Sequence, residues 1–183
     1  MDSLNNEGLL YAQWFSLNGS VPIGYKAGMG SIRKVDMGSR VVARQTDVNA
    51  SADALFAIVS DPRRHGELDG SGTVKDTVKG PERLEQGAKF SVGMKQYGVP
   101  YRITSTVTDF RDDDGSKVIE WQHPLGHSWR WEFEETQPGV TTVTEAFRYD
   151  TAKSPKALEL FKVPQQNAKG ISSTLEQLAL KYA

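Results

Sequence analysis

From residue 89 to residue 149, apolar and polar side chains alternate with period two in successive stretches. This is the pattern of antiparallel strands with one buried and one wet face. The stretch 89–97 sets Phe90, Val92 and Met94 in one phase, and 101–110 does the same with Tyr101, Ile103, Ser105 and Val107. Ile119, Trp121 and His123 share a phase in 118–123. In 127–135 the alternation is clearest: His127, Trp129, Trp131 and Phe133 face one way, and Ser128, Arg130, Glu132 and Glu134 the other. The last stretch, 141–149, groups Val143, Glu145, Phe147 and Tyr149. Gly98-Val99-Pro100, Asp112-Asp113-Asp114-Gly115 and Pro138-Gly139 have the composition of the intervening turns.

Upstream, Val41, Val42, Ala43 and 46–48 read as a first strand, and 73–78 as another. Between them Ser51 is a good helix N-cap with Asp53 in the first turn. Leu55, Phe56, Ile58 and Val59 form the apolar face of a short helix that Asp61-Pro62 stops. Residues 63–72 are a turn-rich connection with room for one more helical turn. Downstream, Ser154-Pro155 starts a short helix carrying Leu158 and Phe161, and Pro164 separates it from a longer one. Over 165–182 a stripe of Ala168, Ile171, Leu175, Leu178 and Tyr182 predicts an amphipathic helix. Such a helix is about 27 Å long and a nine-residue strand about 30 Å, so one helix can cover the concave face of a sheet of about seven strands. Residues 1–38 are glycine-rich and weakly patterned, with one apolar patch from Leu9 to Phe15. They are expected to be an extension, either a flexible or overextended start or an ordered arm, ahead of a domain over 39–183.

Composition narrows the function classes. Net charge is −1, which favours neither nucleic acid nor an anionic membrane. With no cysteine, disulfides and thiolate chemistry are excluded. No apolar run reaches the roughly 20 residues of a membrane span, and Met1-Asp2-Ser3-Leu4 does not open a signal peptide, so a cytoplasmic protein is expected. Phosphate-binding glycine loops, the Gly-x-Ser-x-Gly elbow and His-Glu-x-x-His are absent, so no metal or nucleotide cofactor is expected.

Several segments carry a family resemblance. They are the run from Asp53 through Leu55-Phe56 to Asp61-Pro62, Leu68-Asp69-Gly70-Ser71-Gly72, Gly87-Ala88-Lys89-Phe90, Val143-Thr144-Glu145 and Ile171-Ser172-Ser173-Thr174-Leu175-Glu176. In this order the chain resembles the START-like superfamily (SRPBCC), in particular polyketide cyclase/dehydrase and lipid-transport proteins. The resemblance implies an α+β helix-grip fold, a curved antiparallel sheet wrapped around a long C-terminal helix, with two short helices after the first strand. It also implies a cavity for a small hydrophobic or aromatic molecule, as in a carrier or, alternatively, a cyclase or dehydratase. Fold alone does not choose between these.

On that reading the cavity wall would include Phe56, Phe90, Met94, Tyr101, Trp121, His123, Trp129, Trp131, Glu145, Phe147, Ile171 and Leu175, with aromatic rings gripping a flat or greasy ligand. The plain alternative is that these side chains simply fill the core. Candidate acid–base groups are Glu145, His123 and His65. His123 and His127 flank a Pro-Leu-Gly turn, where a partly solvated structural role is the alternative reading. His65, Glu67 and Asp69 could cluster at a pocket mouth, or Asp69 could only brace its turn. Glu145 is out of character on an apolar face. It either turns inward and pairs with Arg102, Arg130, a tyrosine hydroxyl or a ligand, or sits on a bulge that turns it outward. The partner expected is a small hydrophobic molecule, with a homodimer as an option; a third reading is an interaction protein whose aromatic N-terminal arm or a sheet edge pairs with a partner while the cavity is vestigial.

Overall fold

The computed structural model describes residues 30–67, 78–96 and 99–183; the side chains of residues 94–96 and 99–101 stand outside that description. The strands β1 (Arg33–Val35), β2 (Val41–Val48), β3 (Val78–Lys79), β4 (Lys89–Gln96), β5 (Val99–Asp113), β6 (Ser116–Gln122), β7 (Ser128–Gln137) and β8 (Val140–Arg148) form one antiparallel sheet in the order β1-β2-β8-β7-β6-β5-β4-β3. Helix α1 (Ala52–Val59) and a 3-10 turn (Pro62–Glu67) follow β2; α2 (Pro155–Leu160) and α3 (Val163–Lys181) end the chain. Long-range pairing of β2 with β8 places the first long strand beside the last, and α3 lies across both.

The period-two phase fixes which face is buried. Register across β2, β8, β7, β6 and β5 lines up transverse rows on the inner face: Val42, Phe147, Trp129, Trp121 and Val107 in one, and Arg44, Glu145, Trp131, Ile119 and Phe110 in the next. Most of these side chains belong to a single apolar cluster completed by Leu55, Phe56 and Ile58 of α1 and by Ile171, Leu175 and Leu178 of α3. Helix α1 starts where capping chemistry predicts. The Ser51 hydroxyl accepts the Ala54 N–H at 3.3 Å, and Asp53 ion-pairs with the buried Lys117 ammonium at 2.7 Å.

Several expectations need correction. Among the described residues the sheet has eight strands rather than about seven, the extra pairing coming from β1, inside the stretch expected to be an extension. Val99 and Pro100, assigned with Gly98 to a turn, belong to β5 and pair with Gln96 and Lys95, while Gly98 lies outside the described residues. Of the strand expected over 73–78 only Val78 is described, opening β3; the rest lies outside the described residues, as does Asp69. Pro164 does not separate the last two helices. It sits in the first turn of α3, where a missing N–H costs nothing, and the break is made by Lys162 in the left-handed region (φ 57°). Ser154 makes no side-chain cap bond. The buried stripe of α3 is rotated by about one residue. Asn167 and Gly170 are buried with Ile171, Thr174, Leu175 and Leu178, while Ala168 and Tyr182 are only half-buried.

Candidate functional site

Glu145 lies in unbroken register between Arg44 and Trp131, so no bulge turns it outward. The irregularities of the sheet fall elsewhere, between Val107 and Asp109 and between Glu135 and Gln137. Its side chain therefore enters the core with 4 % exposure, and Oε2 finds no hydrogen-bond partner among the described residues. The arginines expected to pair with it are engaged or directed elsewhere, while the side chain of Tyr101 lies outside the described residues. Arg130 is in phase with the outer face and bonds Asp109, Glu120 and Glu132, and Arg102 is exposed. Arg44, directly opposite, turns its guanidinium to the Ala43 carbonyl at 2.7 Å. Burial with no compensating charge pushes the Glu145 carboxyl well above the ordinary carboxylate range and so favours its neutral form, which can donate as well as accept.

His123 and His127 close the β6–β7 hairpin. Their backbones pair (His123 N–H to His127 carbonyl, 2.8 Å), and Gly126 takes φ +91° in the turn. A side chain at Gly126 would collide with the Thr151 carbonyl, so the hairpin packs against the 151–152 segment only because this residue is glycine. The two imidazoles stack with centroids 4.5 Å apart and are buried (7 % and 1 % exposed), so neither has the partly solvated setting considered from sequence. His123 Nδ1 accepts the Leu125 N–H at 3.1 Å, which leaves the proton on Nε2. Burial, with Lys153 beside His123 and His123 beside His127, pulls the two down to about 4 and about 3, so both rings are neutral near pH 7.

His65 points inward from the 3-10 turn. Its Nε2 lies 2.7 Å from the Val59 carbonyl, and its ring stacks on Trp121 (5.3 Å) and meets Phe90 edge-on (5.8 Å). Burial lowers its pKa too, against the Val59 carbonyl bond. It does not cluster with Glu67, whose carboxylate is bound by Arg64 and Lys181 at the surface and held at about 2 by those bonds.

The apolar candidates come together as sequence phase implied. Trp129 and Tyr149 flank Phe147 at 5.2 and 5.6 Å, Trp131 stacks on Phe133, and Phe56 meets Phe110 and Phe133. Ile171 and Leu175 of α3 are fully buried against this surface. Met94 and Tyr101 fall among the residues whose side chains are not described. One polar residue escaped the sequence reading. Asn167, one turn before Ile171, is 0 % exposed, and neither end of its amide has a partner among the described residues. The i, i+4, i+8 spacing of Asn167, Ile171 and Leu175 is the signal that could have found it.

With sheet, helix and inner face in view, comparison with known proteins decides the family. Residues 39–182 match the model of polyketide cyclase / dehydrase and lipid transport proteins. The chain belongs to that family. Curated proteins from two Mycobacterium tuberculosis strains, both uncharacterized, are each 48 % identical over 162 residues, covering 86 % of this chain and 71 % of the relative. Among solved structures, human STARD10 aligns at TM-score 0.55 and 10 % identity, over 100 % of this chain and 82 % of its own. Protein Ms6760 of Mycobacterium smegmatis aligns at 0.52 and 16 %, over 84 % and 96 % respectively. Such identities speak for the fold alone, which is the helix-grip fold of the START-like superfamily. Among the described residues no helix is long and apolar enough to cross a membrane, and no group of three or more His, Asp or Glu side chains is placed to hold a metal ion.

Proposed function

We propose that the protein binds a small, uncharged hydrophobic or aromatic molecule between the inner face of the sheet and α3. The observation that carries this reading is Glu145. A carboxyl buried beside Trp131 on the inner face, its Oε2 without a partner among the described residues, is a poor choice for stability alone. It makes sense where a ligand supplies the missing hydrogen bond. The aromatic surface around it would provide affinity at about 25 cal/mol per Å² of apolar area removed from water. The stacked neutral histidines add polar edges without adding charge. The family, which takes in lipid-transport proteins, agrees with this class of ligand.

A cyclase or dehydratase in the same space would need an acid and a base acting on one substrate. Glu145 pairs with Trp131, four positions along β7 from His127, a separation of about 13 Å at ~3.3 Å per residue. Imidazoles held near 4 and 3 are also weak bases at neutral pH. The binding reading is therefore preferred. Displacement of Nile red by a panel of fatty acids, sterols and fused-ring aromatics, with native mass spectrometry of the complexes, tests it. Stoichiometric displacement by at least one uncharged class is expected. If Nile red and every panel member fail to bind, the reading is wrong.

A further inference from the structure

Two elements that pack on one another each bury a polar side chain with no hydrogen-bond partner among the described residues: Glu145 on β8, through Oε2, and Asn167 on α3, through both ends of its amide. Their burial is nearly complete, at 4 % and 0 % exposure, and both lie on the surfaces that carry the apolar cluster. Building on the proposed binding role, we propose that Glu145 and Asn167 together form the polar recognition element of the site, and that the ligand is a neutral, mostly apolar molecule bearing a group that both donates and accepts hydrogen bonds, such as a carboxamide or a hydroxy-ketone.

The chemistry of the two side chains narrows the ligand class. An amide offers two donors on nitrogen and two lone pairs on oxygen, and at Asn167 neither end has a partner among the described residues. A neutral carboxyl likewise offers one donor and acceptor capacity. Neither group can compensate a full charge, and the nearest cation in the row, Arg44, is bonded to its own strand's neighbour, the Ala43 carbonyl. A ligand carboxylate or ammonium would thus be buried beside groups that solvate it only partly. A purely hydrocarbon ligand would leave both side chains orphaned. A neutral donor–acceptor group satisfies them. Gln166, beside Asn167, is only half-buried and leaves just its carbonyl oxygen unpaired, so it is the weaker candidate.

The experiment compares naphthalene, 2-naphthamide and ionised 2-naphthoate on the full chain by competition with Nile red, for the native sequence, Glu145→Met, Asn167→Leu, the double variant and the conservative Glu145→Gln. The native protein is expected to bind the amide about tenfold tighter than naphthalene, with the naphthoate weakest. The double variant should lose the amide preference and melt at a higher temperature, since it removes two unsatisfied groups; Glu145→Gln should keep the preference. Equal affinity for amide and hydrocarbon in the native protein overturns the inference, and so does a preference that survives both substitutions. Variants that melt lower than the native protein also overturn it, because the groups would then be structural. Failure of all three probes and of Nile red itself brings down the binding reading, and the inference with it. Failure of the preference alone leaves that reading standing.

Discussion

On the outer face of the sheet, Arg130 reaches Glu132 at 2.6 Å, Asp109 at 2.8 Å and Glu120 at 3.0 Å, while Glu120 also accepts from Ser128 and Arg148. On the inner face, Glu145 and Asn167 are buried as deeply as any of these and bond to nothing among the described residues. The difference separates polar groups that serve the architecture from those that do not. In the outer network burial disfavours the Arg130 charge, yet the carboxylates of Glu132, Asp109 and Glu120 outweigh it and hold the guanidinium charged. Such a network is satisfied within the chain. The inner pair has no such answer among the described residues, and residues that break the local rules of stability without compensation are where function is expected.

Acid should expose the inner face first. His123 and His127, near 4 and 3 in the fold, bind protons near 6.5 when unfolded. Their depressed values mean the stability they contribute is complete above pH 6.5 and is lost as pH falls toward 4 and 3. Between pH 6.5 and 4 the loss should be about 3 kcal/mol per imidazole. Urea unfolding of His127→Phe across that range should show a visibly shallower acid limb; an unchanged slope would mean the stack does not govern it. The outer network is tested by Arg130→Met, which leaves Glu120 and Asp109 under-compensated and should cost about 3 kcal/mol. A loss under about 1 kcal/mol would remove the contrast drawn between the faces.

Glu145→Met should act in the opposite sense, stabilising the ligand-free protein by about 2 kcal/mol. The sign also depends on pH. A carboxyl with a raised folded value loses stability as pH climbs above its unfolded value near 4.5, so the gain should be larger at pH 8 than at pH 4. Equal gains at both would show that the carboxyl ionises in place. The smallest effect belongs to the surface: Glu67→Gln weakens the ties to Arg64 and to Lys181 at the end of α3 and should cost well under ~1 kcal/mol. A larger cost would make that contact a clamp on the helix.

Most of the inner wall was legible without coordinates, because strand phase is a local property: once Trp129, Trp131 and Phe133 face inward, so do Trp121 and Phe147 through register. Asn167 was missed because a helical stripe can be rotated by a residue without harming its periodicity, and Ala168 fits the apolar pattern better. The depth of the histidine pair depends on the 151–152 segment packing over Gly126, a contact between residues 25 apart in the chain.

The amino-acid order by itself determined the strand faces, the place of α1 and its cap, and the long helix that completes a helix-grip fold. These follow from period, capping and turn chemistry, which act over a few residues. Only the tertiary structure decided which buried polar groups are satisfied. Whether Arg130 answers Glu120 or Glu145 depends on which side of the sheet each occupies and on what lies across from it. Hydrogen bonds form over about 3 Å in space, whatever the distance along the chain.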